Sequence, residues 1–382
     1  MENRKFGHIN FSPSPLGFGA MRLPCFSDGL VNEAESIRMI RYAIDNGVNY
    51  VDTAYPYHKG QSEVVVGRAL KDGYRQKVAL ADKSPTWLIN KAADFDKILE
   101  EQLRRLAGGY IDFYLLHGLD LDSFQNTVLK YDLLSKAEQA KKAGKIGHIG
   151  FSFHDCYDSF EKILNGYKGW EFCQIQLNYV DTEMQAGLKG LHAAASQGLG
   201  VVVMEPLMGG KLANPPRQIL DTFKQSEHDR PAVQWALDYL WDMPEVSCVL
   251  SGMSTMEQTL QNVQFAKQFK FNSFSAADRK IMAEAKKQFT QMIAVPCTGC
   301  GYCLPCPSGV SIPKNFTAYN ELSLYDDPAV AQATFKHMIT WEGSEAGAAS
   351  CIGCKICEER CPQQIKISSL MPVVAETFRT KS

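Results

Sequence analysis

Between residues 16 and 267 short apolar runs alternate with amphipathic stretches eight times, and few folds accept that rhythm. The runs lie near 16–21, 50–54, 78–83, 111–117, 147–152, 172–178, 200–205 and 247–252, and they read as strands. Helix periodicity fills 32–46, 61–72, 93–107, 124–143, 157–165, 185–197, 231–240 and 255–267. Runs such as Val78-Ala-Leu-Ala, Phe113-Tyr-Leu-Leu and Val201-Val-Val-Met are continuous rather than alternating, as strands covered on both faces should be. Eight strand–helix units close an α/β barrel of the (β/α)₈ type. A doubly wound open sheet is the alternative. It would place a helix after the first glycine-rich turn, but Gly17-Phe-Gly19-Ala-Met is followed by Arg22-Leu-Pro24.

In such a barrel the chemistry sits at the C-terminal ends of the strands. The second strand ends near Asp52, with Tyr57 in the following loop; the third ends in Lys83, and the fourth in His117. A lysine beside a tyrosine favours the phenolate and lowers the phenol's pKa, while a carboxylate holds the lysine in place. A phenol tuned in this way can give a proton to a carbonyl oxygen and take it back in reverse. Arg22, just past the first strand, is a candidate for an anionic substituent of the substrate.

With these residues in this order, the chain resembles the aldo-keto reductases, and Asp52, Tyr57, Lys83 and His117 look like the family's catalytic tetrad. The resemblance spans roughly residues 5 to 270. It implies NADP or NAD as cofactor, with NADP favoured because the family favours it, and a small carbonyl or alcohol as substrate. It also implies that Ser152 and Gln174 clamp the nicotinamide carboxamide, with an aromatic stacked on the ring. The family often has Asn after that serine, and this chain has Phe153. The loop containing Pro206, Leu207, Gly209 and Lys211 resembles the segment folded over the pyrophosphate. Gly252, Met253, Ser254, Gln258, Gln261 and Asn262 fall where the family binds the adenosine phosphate. Many NADP-dependent members carry Arg at the position of Gln258, so the resemblance leaves the choice of nucleotide open.

The tail is unlike the barrel. Of twelve cysteines, eight crowd into the last 86 residues, while Cys25, Cys156, Cys173 and Cys248 are scattered singly. The N-terminus lacks the apolar core of a signal peptide and no later run spans a bilayer, so a cytoplasmic protein that touches no membrane is expected. Clustered cysteines then point to metal rather than disulfides. A net charge of −2 gives no reason to expect nucleic acid as a partner.

Cys351, Cys354, Cys357 and Cys361-Pro362 have the bacterial ferredoxin spacing, and Cys297, Cys300, Cys303 and Cys306-Pro307 differ by one residue in the last gap. Two 4Fe-4S clusters are expected, and two zinc sites are the alternative. In the ferredoxin arrangement the fourth cysteine of each run serves the other cluster. This pairs Cys297, Cys300 and Cys303 with Cys361, and Cys351, Cys354 and Cys357 with Cys306. The spacer reads as helices at 312–324 and 328–340, and the tail resembles the α-helical ferredoxin domain of succinate dehydrogenase iron–sulfur subunits.

The expected organisation is a barrel over 1–275, a joining helix over 276–292 and a mainly α-helical ferredoxin-type domain over 293–382. The expected function is an NAD(P)H-dependent reductase, with clusters that stabilise, sense redox state or serve an external one-electron carrier. A binding or electron-transfer protein with the barrel as docking module is the alternative, and the intact tetrad argues against it.

Overall fold

A computed structural model of the chain describes residues 1–271, 273–325, 331–332, 335 and 347–379. Its first feature is a closed barrel of eight parallel strands: β1 Leu16–Gly19, β2 Tyr50–Asp52, β3 Ala79–Pro85, β4 Ile111–Leu119, β5 Ile146–Phe153, β6 Phe172–Gln176, β7 Gly200–Met204 and β8 Cys248–Ser251. Each strand pairs with its neighbour in sequence, and β8 returns to β1 through Leu16↔Val249 and Phe18↔Ser251.

The continuous apolar runs are explained by two cores. One face of each strand packs against the helices, burying Val51, Leu80, Phe151, Ile175 and Val203 with Ile40, Leu99 and Ile163. The other face fills the barrel interior, where Phe6, Tyr50, Phe113, Leu115, Phe172 and Val202 meet. Phe6 lies 4.9 Å from the Phe113 ring and closes over Gly200, where a Cβ would sit 2.3 Å from Phe6 Cδ2. Only glycine leaves room for that approach.

The helices follow the sequence reading with two differences. The stretch 124–143 is interrupted by Asp132 in the left-handed region (φ 53°), and the α-helix resumes only over Leu133–Lys142. Helices over Arg217–Phe223 and Ile367–Thr377 stand where the sequence reading placed none.

The chain divides into two compact units, Met1–Leu207 with Val233–Ser275, and Met208–Ala232 with Ala276–Ser382. The segment 208–232, read from the sequence as part of the barrel, thus groups with the second unit. There Thr222 Oγ1 donates to Gln288 Oε1 at 3.0 Å, and the Arg230 guanidinium meets the buried Asp278 carboxylate at 3.2 Å. The rest of this unit contains the helix Ala276–Met292 and, around a small core of Val295, Val310, Phe316, Met371 and Val374, the helices Ile312–Tyr325 and Ile367–Thr377. Asn320 stands in for a strand partner, accepting the Val295 N–H at 2.8 Å and donating to its carbonyl at 2.6 Å. The helix expected at 328–340 falls largely outside the described residues. Among the described residues no helix is long and apolar enough to cross a membrane.

Candidate active site

Lys83 is the centre of the site, fully buried near the C-terminal end of β3. Its ammonium donates to Asp52 Oδ1 at 2.5 Å, to the Thr53 carbonyl at 2.8 Å and to Tyr57 Oη at 3.3 Å. A buried ammonium needs such partners, and the Asp52 carboxylate matches its charge. The four predicted residues are brought together: the Tyr57 and His117 rings lie 5.9 Å apart at 82°.

Tyr57 reaches this place through a tight turn, Tyr57–Gly60, in which His58 (φ 51°), Lys59 and Gly60 are left-handed. His58 Nε2 accepts the Leu23 N–H at 3.1 Å and holds that turn to the loop after β1.

The acidity of the phenol departs from the expectation. Burial, and then the Asp52 and Glu205 carboxylates, hold Tyr57 well above the ordinary phenol value rather than lowering it. Lys83 spends its charge on Asp52, so the phenol keeps its proton, as a proton donor must. Burial, with Lys83 and His154 nearby, pushes His117 well below the ordinary imidazole value, so it is neutral at pH 7. The Arg22 guanidinium, at the loop after β1, faces the Glu205 carboxylate at 3.7 Å.

Behind Lys83 lies a device the sequence reading missed. The pairing of β2 with β3 ends at Asp52↔Ala81, so the Lys83 peptide points past the end of β2. Side chains take over its two polar groups. Asp82 Oδ1 accepts the Lys83 N–H at 2.9 Å, and Gln102 Nε2 donates to the Lys83 carbonyl at 3.0 Å and to Asp82 Oδ2 at 2.7 Å. Burial and the adjacent Glu63 carboxylate push Asp82 well above the ordinary carboxylate range. The signal was the acidic residue directly before Lys83.

Ser152 and Gln174 are adjacent across β5 and β6, in register and buried. Ser152 Oγ accepts the Gly118 N–H at 2.8 Å, which leaves its own proton to donate. Gln174 Oε1 is buried with no hydrogen-bond partner, while its Nε2 meets the Met204 thioether at 3.5 Å. A hydroxyl donor beside an orphaned amide oxygen fits a carboxamide, which has one acceptor and one donor to offer. The β7 residue in register with Gln174 is Val202, and neither it nor Met204 is aromatic.

The residues after β8 separate into two groups. Gly252, Gln258 and Gln261 are exposed and Ser254 is half-buried, whereas Met253 and Asn262 are buried. Asn262 Nδ2 donates to Ser251 Oγ at 3.0 Å and fixes the end of the strand. Gln258 folds back so that its Oε1 accepts the Ser254 N–H at 2.8 Å, ahead of the helix Met256–Gln268. In the loop after β7, Pro206 is buried and Leu207 half-buried. Gly209 and Lys211 belong to the second unit, where the Lys211 ammonium donates to the Cys297 carbonyl. Gly209 is left-handed there (φ 67°), and a Cβ would lie 2.3 Å from the Thr298 carbonyl oxygen.

The eight clustered cysteines line two cavities. One is bordered by Cys306, Cys351, Cys354 and Cys357, the other by Cys297, Cys300, Cys303 and Cys361. Burial, and then Cys300, Cys297 and Cys361, raise the Cys303 thiol well above its ordinary value. Four thiolates gathered so closely need a compensating positive charge. Among the described residues no three metal-ligating side chains converge as for a single ion.

Comparisons with known proteins agree with this division. The aldo/keto reductase family model matches residues 15–282, and a 4Fe-4S dicluster domain model matches residues 296–366. The chain is 26% identical over 303 residues to the uncharacterized oxidoreductase YqkF of Bacillus subtilis, spanning 70% of this chain and 91% of that protein. It is 26% identical over 268 residues to the 6-dehydroglucose reductase of Novosphingobium aromaticivorans, spanning 66% of this chain and 80% of that one. Among solved structures, the holo form of an aldo-keto reductase from Bacillus halodurans is 27% identical with a TM-score of 0.62, over 75% of this chain and 96% of that one.

Proposed function

Because the chain belongs to the aldo/keto reductase family and carries a C-terminal 4Fe-4S dicluster domain, we propose that it is an NAD(P)H-dependent reductase interconverting a small aldehyde, ketone or sugar with its alcohol. The observation that carries this reading is the buried Lys83 ammonium bonded at once to Asp52, Thr53 and Tyr57. The reduced nicotinamide supplies hydride to the carbonyl carbon when bound. Ser152 and Gln174 hold its carboxamide, Tyr57 gives the proton to the carbonyl oxygen, and His117 orients that oxygen by a hydrogen bond. Lys83 steadies the negative charge left on Tyr57, and Asp52 steadies Lys83. The relative named as a 6-dehydroglucose reductase supports a carbonyl of this size. Anaerobic assay of NADPH and NADH oxidation with small aldehydes tests the reading.

The pH dependence follows from the two shifted groups. Tyr57 stays protonated below its raised pKa, and His117 stays neutral above its lowered one. The reductive kcat should therefore be flat from about pH 6.5 to about pH 10, the unperturbed values of the two groups. A profile of kcat against pH with a midpoint near neutrality would refute these assignments.

Cofactor choice turns on Gln258, which has no charge to offer a 2′-phosphate. NADP is favoured by the family, and Gln258→Arg should raise the NADPH/NADH ratio of kcat/KM by about tenfold through a charge-assisted contact. An unmoved ratio would remove Gln258 from the nucleotide site.

The tail, on this reading, holds two 4Fe-4S clusters in the crossed sets that line the two cavities. Hydride transfer moves two electrons together and a cube passes one, so the clusters stand outside the hydride step. They stabilise the tail, sense redox state or serve an external one-electron carrier. Paramagnetic resonance after NADPH addition separates electron transfer from the other two.

A further inference from the structure

Successive side chains of a strand point to opposite faces, so Lys83 reaches the tetrad while Asp82 points among the helices. There Asp82 meets two more fully buried polar residues, Glu63 of the helix Gln61–Ala69 and Gln102 of the helix Ala92–Leu106. Gln102 interrupts the buried apolar stripe of its helix, Phe95, Leu99, Leu103 and Leu106, and Glu63 is buried with Val65 and Val66. Apolar packing is commonly as stable as a buried polar cluster, so polarity here points to placement rather than stability.

The donors and acceptors leave one arrangement. Gln102 Oε1 accepts the Tyr114 hydroxyl at 2.7 Å, which turns Nε2 toward three acceptors. These are Asp82 Oδ2 at 2.7 Å, the Lys83 carbonyl at 3.0 Å and Glu63 Oε1 at 3.2 Å. Two buried carboxyl groups thus reach one nitrogen, and Arg105 Nη1 donates to Glu63 Oε2 at 2.7 Å. A proton between the carboxyls removes their repulsion. Glu63 has the guanidinium, so the proton belongs to Asp82. Asp82 Oδ1 accepts the Lys83 N–H at 2.9 Å, which places it on Oδ2. The raised acidity constant of Asp82, set by burial and then Glu63, agrees with this.

A neutral Asp82 leaves Asp52 as the carboxylate that holds the Lys83 charge, 2.5 Å away, with Tyr57 Oη at 3.3 Å. The Lys83 peptide is gripped at its N–H and at its carbonyl, and it cannot turn without breaking both bonds. We propose that Asp82 and Gln102 are positioning residues for the proton transfer, Asp82 as an uncharged acid sharing its proton with Glu63, and Gln102 as the clamp on the Lys83 carbonyl. Buried in the helix layer, they act through Lys83 on Tyr57. The positioning role rests on the reductase reading above; the shared proton does not.

The test uses full-length protein prepared anaerobically. Asp82→Leu and Gln102→Leu should lower kcat for a small aldehyde by about 10–100-fold, as a displaced reacting group does, with KM and the Kd for NADPH nearly unchanged. Asp82→Asn, which keeps the shape and neutrality of the acid, should recover most of that loss. In a Tyr57→Phe background Asp82→Leu should lower kcat no further, a coupling that lost packing does not produce. The infrared spectrum of the wild type at neutral pH should contain the C=O stretch of a protonated carboxyl group that Asp82→Asn removes, a measurement that needs no folded leucine variant. Asp82→Asn as slow as Asp82→Leu, or no such band, overturns the neutral acid. Wild-type kcat in Asp82→Leu and Gln102→Leu, or losses that multiply with that of Tyr57→Phe, overturn the positioning role and leave the reductase reading standing. No aldehyde turnover by the wild type with either nucleotide overturns that reading and the role together, while the infrared band still decides the shared proton.

Discussion

Tyr57→Phe should lower kcat for carbonyl reduction by about 10²–10⁴-fold, the contribution of a positioned general acid, while the Kd for NADPH stays nearly unchanged. The change removes one oxygen and the proton it carries. It leaves Lys83 bonded to Asp52 at 2.5 Å and to the Thr53 carbonyl at 2.8 Å, so no buried charge is abandoned. The aromatic ring remains against Lys83 Nζ, 4.9 Å from its centroid. Lys83→Met differs in kind. It strands the buried Asp52 carboxylate, whose second oxygen has no hydrogen-bond partner, and should cost stability as well as rate. The two variants together separate chemistry from scaffold. Near-wild-type kcat in Tyr57→Phe would remove the phenol from the mechanism.

The barrel was legible because a strand covered on both faces carries a continuous apolar run, as β7 does throughout and β3 and β4 do over Ala79–Ala81 and Phe113–Leu116. The tetrad was legible because the barrel sends strand ends to one face. What the sequence hid was local competition among neighbours. Lys83 beside Tyr57 suggested a more acidic phenol, but Asp52 is nearer to the lysine and the pocket is dry, so burial decides the direction. Arg22 is a candidate anion site on chain order alone, and nothing in that order announces that Glu205 faces it. Chain order also does not announce that the candidate cofactor ligands Lys211 and Asn262 donate to the Cys297 carbonyl and to Ser251 Oγ. The break at Asp132 was invisible because helix propensity continues on both sides of it.

The second large effect is expected in the tail. Wild-type protein made and kept anaerobic should hold about eight irons and eight sulfides in two cubes, and Cys306→Ser should lose about half of each. The sequence neighbours of Cys306 are Cys303 and Cys300, but the cavity it borders is shared with Cys351, Cys354 and Cys357. Pairs of substitutions settle the connectivity. Cys306→Ser with Cys354→Ser should lose no more iron than either alone, because both act on one cluster. Cys306→Ser with Cys300→Ser should lose nearly all of it. The reverse pattern would show that each run ligates its own cluster. Stability should follow the iron: crossed ligation would tie 297–306 to 351–361 beside a small apolar core, making cluster binding energy part of the folding energy of the tail. Oxygen should therefore bleach the chromophore and expose residues 297–361 to hydrogen exchange first, while the barrel core remains protected. Zinc in place of iron, with no acid-labile sulfide in anaerobically grown material, would end the cluster assignment and leave a reductase with a zinc-bound tail.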